Sequence, residues 1–386
     1  MFLKKIVETN KCFVDTCFEM HQSGEILPDS YVIDMETLRD NAKKIYEQAK
    51  CQNIDVYFML KQIGRNPMIA KELMEIGYKG AVVVDFKEAA VMMRHHIPIA
   101  NIGHLVQTPK AMLQKIVDYG CQYYTVFTVE KIRDLNECAK RSGKKLNLLL
   151  KVVGTEDIIY SGQTAGFRLE ELERAIEEIM EMEYVEIKGV TSFPCFLYDE
   201  AEEEICATGN FKTLMKAKEL LEAHGVKSVH INAPSTSSVY TIQKMQEYQV
   251  HSVEPGHGLT GTTPLHAHRE CAEIPCVVYI SEISHNFDEK AYCYGGGFYR
   301  RGHLQNALVG KCLEDAKRLE VILPEIESID YYFGLNAPCT LNDTVVMSFR
   351  FQMFVTRSNV CLLDGVRGGR PKLIGCYNSL GDKITW

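Results

Sequence analysis

Short apolar runs alternate with helix-period stretches through the first two-thirds of the chain. The first run is SYVID (Ser30–Asp34), followed by an amphipathic helix from about Met35 to Ala49. Eight further runs end at Lys61, Val84, His104, Phe127, Val152, Phe193, Asn232 and Glu254. Nearly all lead into segments of helical period, such as Asn66–Glu75, Lys110–Tyr119, Leu169–Met182 and Phe211–His224. Strands apolar on both faces and separated by helices predict a parallel sheet with helices outside. Eight such units close more naturally as a (β/α)8 TIM-type barrel than as an open doubly wound sheet, the rival fold.

The pattern changes after Thr263. From Ala272 onward the runs CVVYISEISHNF, KAYCYGGGFY, DTVVMSFRFQMFVT, NVCLLDG and KLIGCYN read as strands with turns, so a mostly β C-terminal domain is expected. Arg301–Glu320 reads as helix or loop. The expected organisation is an N-terminal segment 1–50, whose SYVID strand joins the β domain, then a barrel over 51–265, then a β domain over 266–386.

The 386 residues suit a barrel of about 250 residues plus a smaller companion. With 46% hydrophobic and 24% charged residues, the chain can bury a substantial core. A net charge of −8 argues against broad nucleic-acid or anionic-membrane binding. The 14 cysteines sit singly, without CxxC pairs, which points to a reducing compartment. No signal-peptide pattern or long apolar span is evident. The expectation is a cytoplasmic protein with no membrane and no nucleic-acid partner.

In such a barrel, chemistry gathers at the carboxyl ends of the strands. Lys61 ends the first strand, where desolvation favours the neutral, nucleophilic amine. From position alone it reads more readily as a rim lysine reaching solvent. The loops after strands seven and eight, where barrels often bind phosphate, are NAPSTSS (Asn232–Ser238) and EPGHGLTGTTP (Glu254–Pro264). The first offers amide and hydroxyl donors; the second offers glycines that let backbone N–H groups approach an anion. A phosphate site and a strand-end lysine together suit pyridoxal 5'-phosphate (PLP), and Glu254 could keep its ring nitrogen protonated.

The segments SYVIDMETLRDNAKKI, YFMLKQIGRNP, SFPCF, NAPSTSS and EPGHGLTG resemble, in order and spacing, the alanine-racemase-like (fold type III) PLP enzymes. EPGHGLTGTTPLHA and YCYGGGFYRRGH resemble a YhfX-like branch of them. The resemblance implies a Schiff base at Lys61. It implies a phosphate cradle from Ser235 or Thr236 and from the backbone of Gly256, His257 and Gly258. It implies a homodimer with shared active sites, in which Tyr294, with Tyr292 as a fallback, serves as the second acid–base group. Asn232 belongs to the same cofactor pocket, and His104 is a candidate to line it or merely to fill the barrel mouth.

Three departures bear on the reaction. Glu254 stands where alanine racemases place an arginine against the ring nitrogen. The segment GQTAGF (Gly162–Phe167) lacks the arginine that meets the substrate carboxylate, leaving Arg300 or Arg301 as candidates. Phe193 stands at the ring-stacking histidine position. The expected activity is amino-acid racemisation or epimerisation, with a PLP-dependent decarboxylase or lyase as the alternative and a non-catalytic PLP carrier as a further one. No metal is expected, although His257, His266 and His268 lie close in sequence.

Overall fold

The computed structural model describes residues 2–385. The chain folds into two compact units that interleave in sequence. One comprises residues 45–60 and 67–256; the other comprises 1–44, 61–66 and 257–386.

The first unit is a parallel barrel. Its strands, in chain order, are Asp55–Val56, Ala81–Val83, Ile99–Ile102, Cys121–Val126, Leu146–Val153, Val185–Thr191, His230–Asn232 and Ser252–Val253. Each pairs with its predecessor in parallel from the third through the eighth, and the eighth pairs with the first. The ring closes where Phe58, just beyond the first strand, bridges Ala81 of the second. Val82 N–H donates to the Phe58 carbonyl at 2.8 Å and Phe58 N–H to that of Gly80 at 3.0 Å. Strands two and three are buried along their whole length, because helices cover them outside and side chains fill the interior.

The helices start where the sequence offers caps. The Asp85 carboxylate accepts from Glu88 N–H at 2.8 Å and opens Phe86–Arg94. Thr128 opens Val129–Ser142, which Gly143 ends in a left-handed turn at φ 61°.

The second unit is built on a ten-stranded sheet. Its order is Lys290–Tyr294, Tyr332–Leu335, Lys317–Ile322, Asn306–Gly310, Thr344–Met347, Val277–Phe287, Ser30–Asp34, Asn359–Asp364, Lys372–Asn378 and Lys383–Ile384. Lys290–Tyr294 also pairs with Val277–Phe287, so six of these strands close into a small antiparallel barrel. Ser30–Asp34 is antiparallel to Val277–Phe287, parallel to Asn359–Asp364, and buried at every residue.

Two features depart from the sequence reading. Arg301–Glu320 is neither helix nor mere loop: it contains the strand Asn306–Gly310 and most of Lys317–Ile322. The latter turns Lys317, Arg318 and Glu320 to solvent, which hides its strand character in a charged sequence. Two helices, Phe2–Thr9 and Lys11–Gln22, precede the first strand. They bury Ile6, Phe13, Val14, Cys17 and Phe18 against Val32, Val278, Ile280 and Val346 of the sheet.

Candidate active site

All eight barrel strands run in parallel, so their carboxyl ends share one end of the unit. The first and eighth meet there. Tyr57 N–H donates to the Val253 carbonyl and Met59 N–H to that of Pro255, each at 3.0 Å. Lys61 follows two residues after Met59, in a short 3-10 turn Lys61–Ile63, and is half-buried. Glu254 lies between the two acceptors and is only 7% exposed.

Polar side chains line the interior. Asn101 of strand three donates to Glu254 Oε1 at 3.4 Å and accepts from Thr125 Oγ1 of strand four at 2.8 Å. Strands three and eight are not neighbours in the ring, so the Asn101–Glu254 bond spans the barrel interior. On the other side, Thr191 Oγ1 donates to Asn232 Oδ1 at 2.7 Å, and Asn232 Nδ2 donates to Ser252 Oγ at 3.0 Å. Both functional groups of the buried Asn232 are therefore engaged within the barrel.

The loop after strand seven is a tight turn. Ser235 and Thr236 adopt φ of 125° and 44°. Thr236 Oγ1 donates to the Phe196 carbonyl at 3.1 Å, and its own carbonyl accepts from Thr241 Oγ1 at 2.7 Å. Ser238 caps the next helix. Between them, Ser237 is 3% exposed and its hydroxyl has no hydrogen-bond partner. The sequence reading had singled out Ser235 and Thr236; Ser237 was visible only as one serine among three.

Phe193 follows strand six. Its ring lies 5.9 Å from that of His104, edge-on, and 5.8 Å from that of Tyr160. His104 is 1% exposed. The barrel unit thus brings together His104 and Phe193, and holds Asn232, Ser235, Thr236, Glu254 and Gly256 at its strand ends.

Lys61, His257, Gly258 and Tyr294 belong to the second unit. His257 is buried, with Nδ1 3.1 Å from Thr262 Oγ1 and Nε2 3.3 Å from Gln352 Nε2. Burial, reinforced by the nearby Arg350 and Lys61, holds its pKa well below the usual histidine value, so the ring is neutral. His266 contacts Thr263 Oγ1 at 2.6 Å and Glu273 Oε2 at 3.3 Å. No group of three or more His, Cys, Asp or Glu that could hold a metal occurs among the described residues. Tyr294 is 37% exposed, its ring 5.9 Å from that of Tyr332, and its carbonyl accepts from Ser281 Oγ at 2.7 Å. Tyr292 is stacked on His285 at 5.0 Å. The Arg300 guanidinium donates to the Ile326 carbonyl.

Residues 33–264 match the family model for the alanine racemase N-terminal domain, and residues 278–373 match that for a YhfX-like C-terminal domain. The chain belongs to the alanine racemase-like family, in its YhfX-like branch. It is 40% identical, over the full length of both chains, to the Escherichia coli (strain K12) protein called "Uncharacterized protein YhfX". It is 26% identical to "Alanine racemase 2" of Caldanaerobacter subterraneus over 228 residues, which is 56% of this chain and 55% of that one. Among solved structures, alanine racemase from Bacillus anthracis superposes with a TM-score of 0.66 at 15% identity, covering 91% of this chain and 97% of that one. D-threonine aldolase from Filomicrobium marinum gives 0.65 at 14%, covering 91% and 94%. Diaminopimelate decarboxylase from M. jannaschii gives 0.65 at 16%, covering 92% and 89%. The fold is therefore shared by proteins named for three different reactions. No helix among the described residues is long and apolar enough to cross a membrane.

Proposed function

We propose that this chain is a PLP-dependent enzyme acting at the Cα of an amino acid, as a racemase or epimerase. The observation that carries the reading is Ser237. A buried hydroxyl without a partner costs about 1–3 kcal/mol, and here it sits in a turn shaped by two positive-φ residues. An anion with several acceptor oxygens would satisfy it, at the loop where barrels often take phosphate. The residues fit the cofactor. Lys61 would hold its aldehyde carbon, Ser235, Thr236, Ser237 and the Gly256–Gly258 backbone its phosphate, and Glu254 its ring N–H, with Phe193 and His104 beside the ring. When bound, PLP supplies an electron sink for the pair left at Cα as a substituent departs.

The protein's own groups then handle the proton. Lys61 would take or return the Cα proton on one face. The Tyr294 hydroxyl does so on the other, in a homodimer whose β domain completes the partner's site. Glu254 would hold a proton at the ring nitrogen. That same carboxylate favours a second reading, a decarboxylase or lyase of this fold, because a protonated ring tolerates loss of substituents other than hydrogen.

The test is the absorbance of purified protein given PLP, followed by borohydride reduction and peptide mapping. A yellow protein with a pyridoxyl adduct on Lys61 supports the reading; a protein that stays colourless and unmodified refutes it. Chiral product analysis then separates the two reactions. Loss of optical rotation alone marks the racemase, and release of CO2, ammonia or aldehyde marks the lyase.

A further inference from the structure

Lys151 lies near the end of the fifth barrel strand, and none of the roles above uses it. Its direction follows from register. The Asn101–Glu254 bond across the ring places Asn101 inside, and Thr125 bonds to it. Thr125 is level with Leu149, and side chains alternate along a strand, so Lys151 shares the inner face with Leu149. Lys151 is in turn level with Thr191, Thr191 with Asn232, and Asn232 with Ser252. Lys151 therefore belongs to the same inward polar belt as Glu254, four places round the ring from the strand that leads to Lys61.

Its surroundings do not neutralise it. Lys151 is 3% exposed, and its ammonium lies 4.9 Å from the centre of the Phe127 ring. No carboxylate among the described residues comes within ion-pair distance of it. Burial alone pulls its pKa down to about 8. A buried ammonium without a counter-ion costs several kcal/mol, and an uncharged chain such as methionine would fill the same space. A cation held in this position is suited to an anion that arrives from outside. The loops after strands seven and eight already provide for a phosphate.

We propose that Lys151 binds the carboxylate of the amino-acid substrate. The proposal rests on the reading of the chain as an amino-acid enzyme. It gives the barrel a substrate-orienting cation on its own inner wall, across the ring from the first strand. An ammonium over an aromatic ring keeps three donors to offer a carboxylate, and low dielectric strengthens the pair. The carboxylate in turn favours the charged amine, so a bound ligand removes the neutral fraction that burial creates.

The experiment is competitive acetylation of the native protein with trace acetic anhydride at pH 8, with the rate at Lys151 read by peptide mass spectrometry. Propionate is the probe and propionamide the uncharged control. At least a fivefold slowing by propionate, and none by propionamide, is expected. An unchanged rate at saturating propionate overturns the proposal whether or not PLP binds, and so separates its failure from that of the cofactor reading. A second arm uses PLP-loaded protein and titrates the cofactor absorbance with alanine and with ethylamine. Wild type is expected to prefer alanine by at least tenfold, Lys151→Arg to keep most of that preference, and Lys151→Met to lose it while still giving the Lys61 adduct. A Lys151→Met protein that keeps the preference overturns the proposal.

Discussion

Ser237→Ala separates the demands of stability from those of binding. In the free protein the serine hydroxyl is buried without a partner. Removing it deletes an unsatisfied polar group at little loss of volume, so the apo protein should gain about 1 kcal/mol, the lower part of the 1–3 kcal/mol cost of such a group. For a unit the size of this barrel, that gain corresponds to a Tm about 2–4 °C higher. With PLP bound the sign reverses. The hydroxyl would then donate to a charged phosphate oxygen, a bond worth about 1.5–3 kcal/mol, and its loss should weaken PLP about tenfold or more. Thermal melts followed by circular dichroism, with and without PLP, measure both quantities on one sample. A Ser237→Ala protein that melts lower than wild type without ligand, or that binds PLP as tightly as wild type, refutes the role assigned to this hydroxyl.

Further predictions test other parts of the molecule. Lys151→Met should be more stable than wild type at neutral pH by on the order of 3 kcal/mol. The folded-state pKa near 8 lies below the unfolded value, so the penalty is full below pH 8 and fades as pH rises towards 10.5; the two Tm curves should converge over that range. His21 and His230 are each lowered to about 4 by burial. The unfolded chain therefore takes up protons first, and stability should fall as pH drops from 6.5 towards 4, less steeply in His21→Gln, as urea titrations would show. In Gly103→Ala, a Cβ would meet the Thr125 carbonyl oxygen at 2.3 Å at a residue with φ of 94°. A loss of about 3 kcal/mol or more is expected, read as a Tm fall on the order of 10 °C. Glu254→Gln should retain the Lys61 adduct but slow turnover by about a hundredfold, because the ring nitrogen loses its charged partner; equal turnover would count against that role.

The barrel was legible because its strands are apolar on both faces and each ends at a distinctive residue. Asn232 ends its strand, and His104, Phe193 and Glu254 follow theirs within two residues, as the sequence suggested; Lys61 instead stands in a 3-10 turn beyond the short strand Asp55–Val56. What could not be read depends on pairing. Lys151 stands in the apolar run that ends at Val152, but its inward direction needs the register with Thr125 and Thr191. Ser237 differs from its neighbours only in being buried without a partner, which no local pattern encodes. The strand Lys317–Ile322 was hidden by its charged solvent face. The helices Phe2–Thr9 and Lys11–Gln22 were obscured by their short lengths and mixed composition. The return of residues 61–66 to the β unit has no local signal, because it is fixed by contacts such as Arg65 over the Phe354 ring, 5.1 Å away.

The central strand of the β unit comes early in the chain, and its neighbours come late. Ser30–Asp34 is held between Val277–Phe287 and Asn359–Asp364. At a synthesis rate of about 5–20 residues per second, this strand, buried at every residue once folded, emerges roughly ten seconds to a minute before either partner exists. Both of its hydrogen-bonding edges stay open for that time, inviting pairing with another nascent chain. The helix Lys11–Gln22, which packs on this sheet in the finished protein, is on hand from the start to cover the strand while it waits. Expression of this protein should accordingly depend on that helix more than its small share of the final core would suggest.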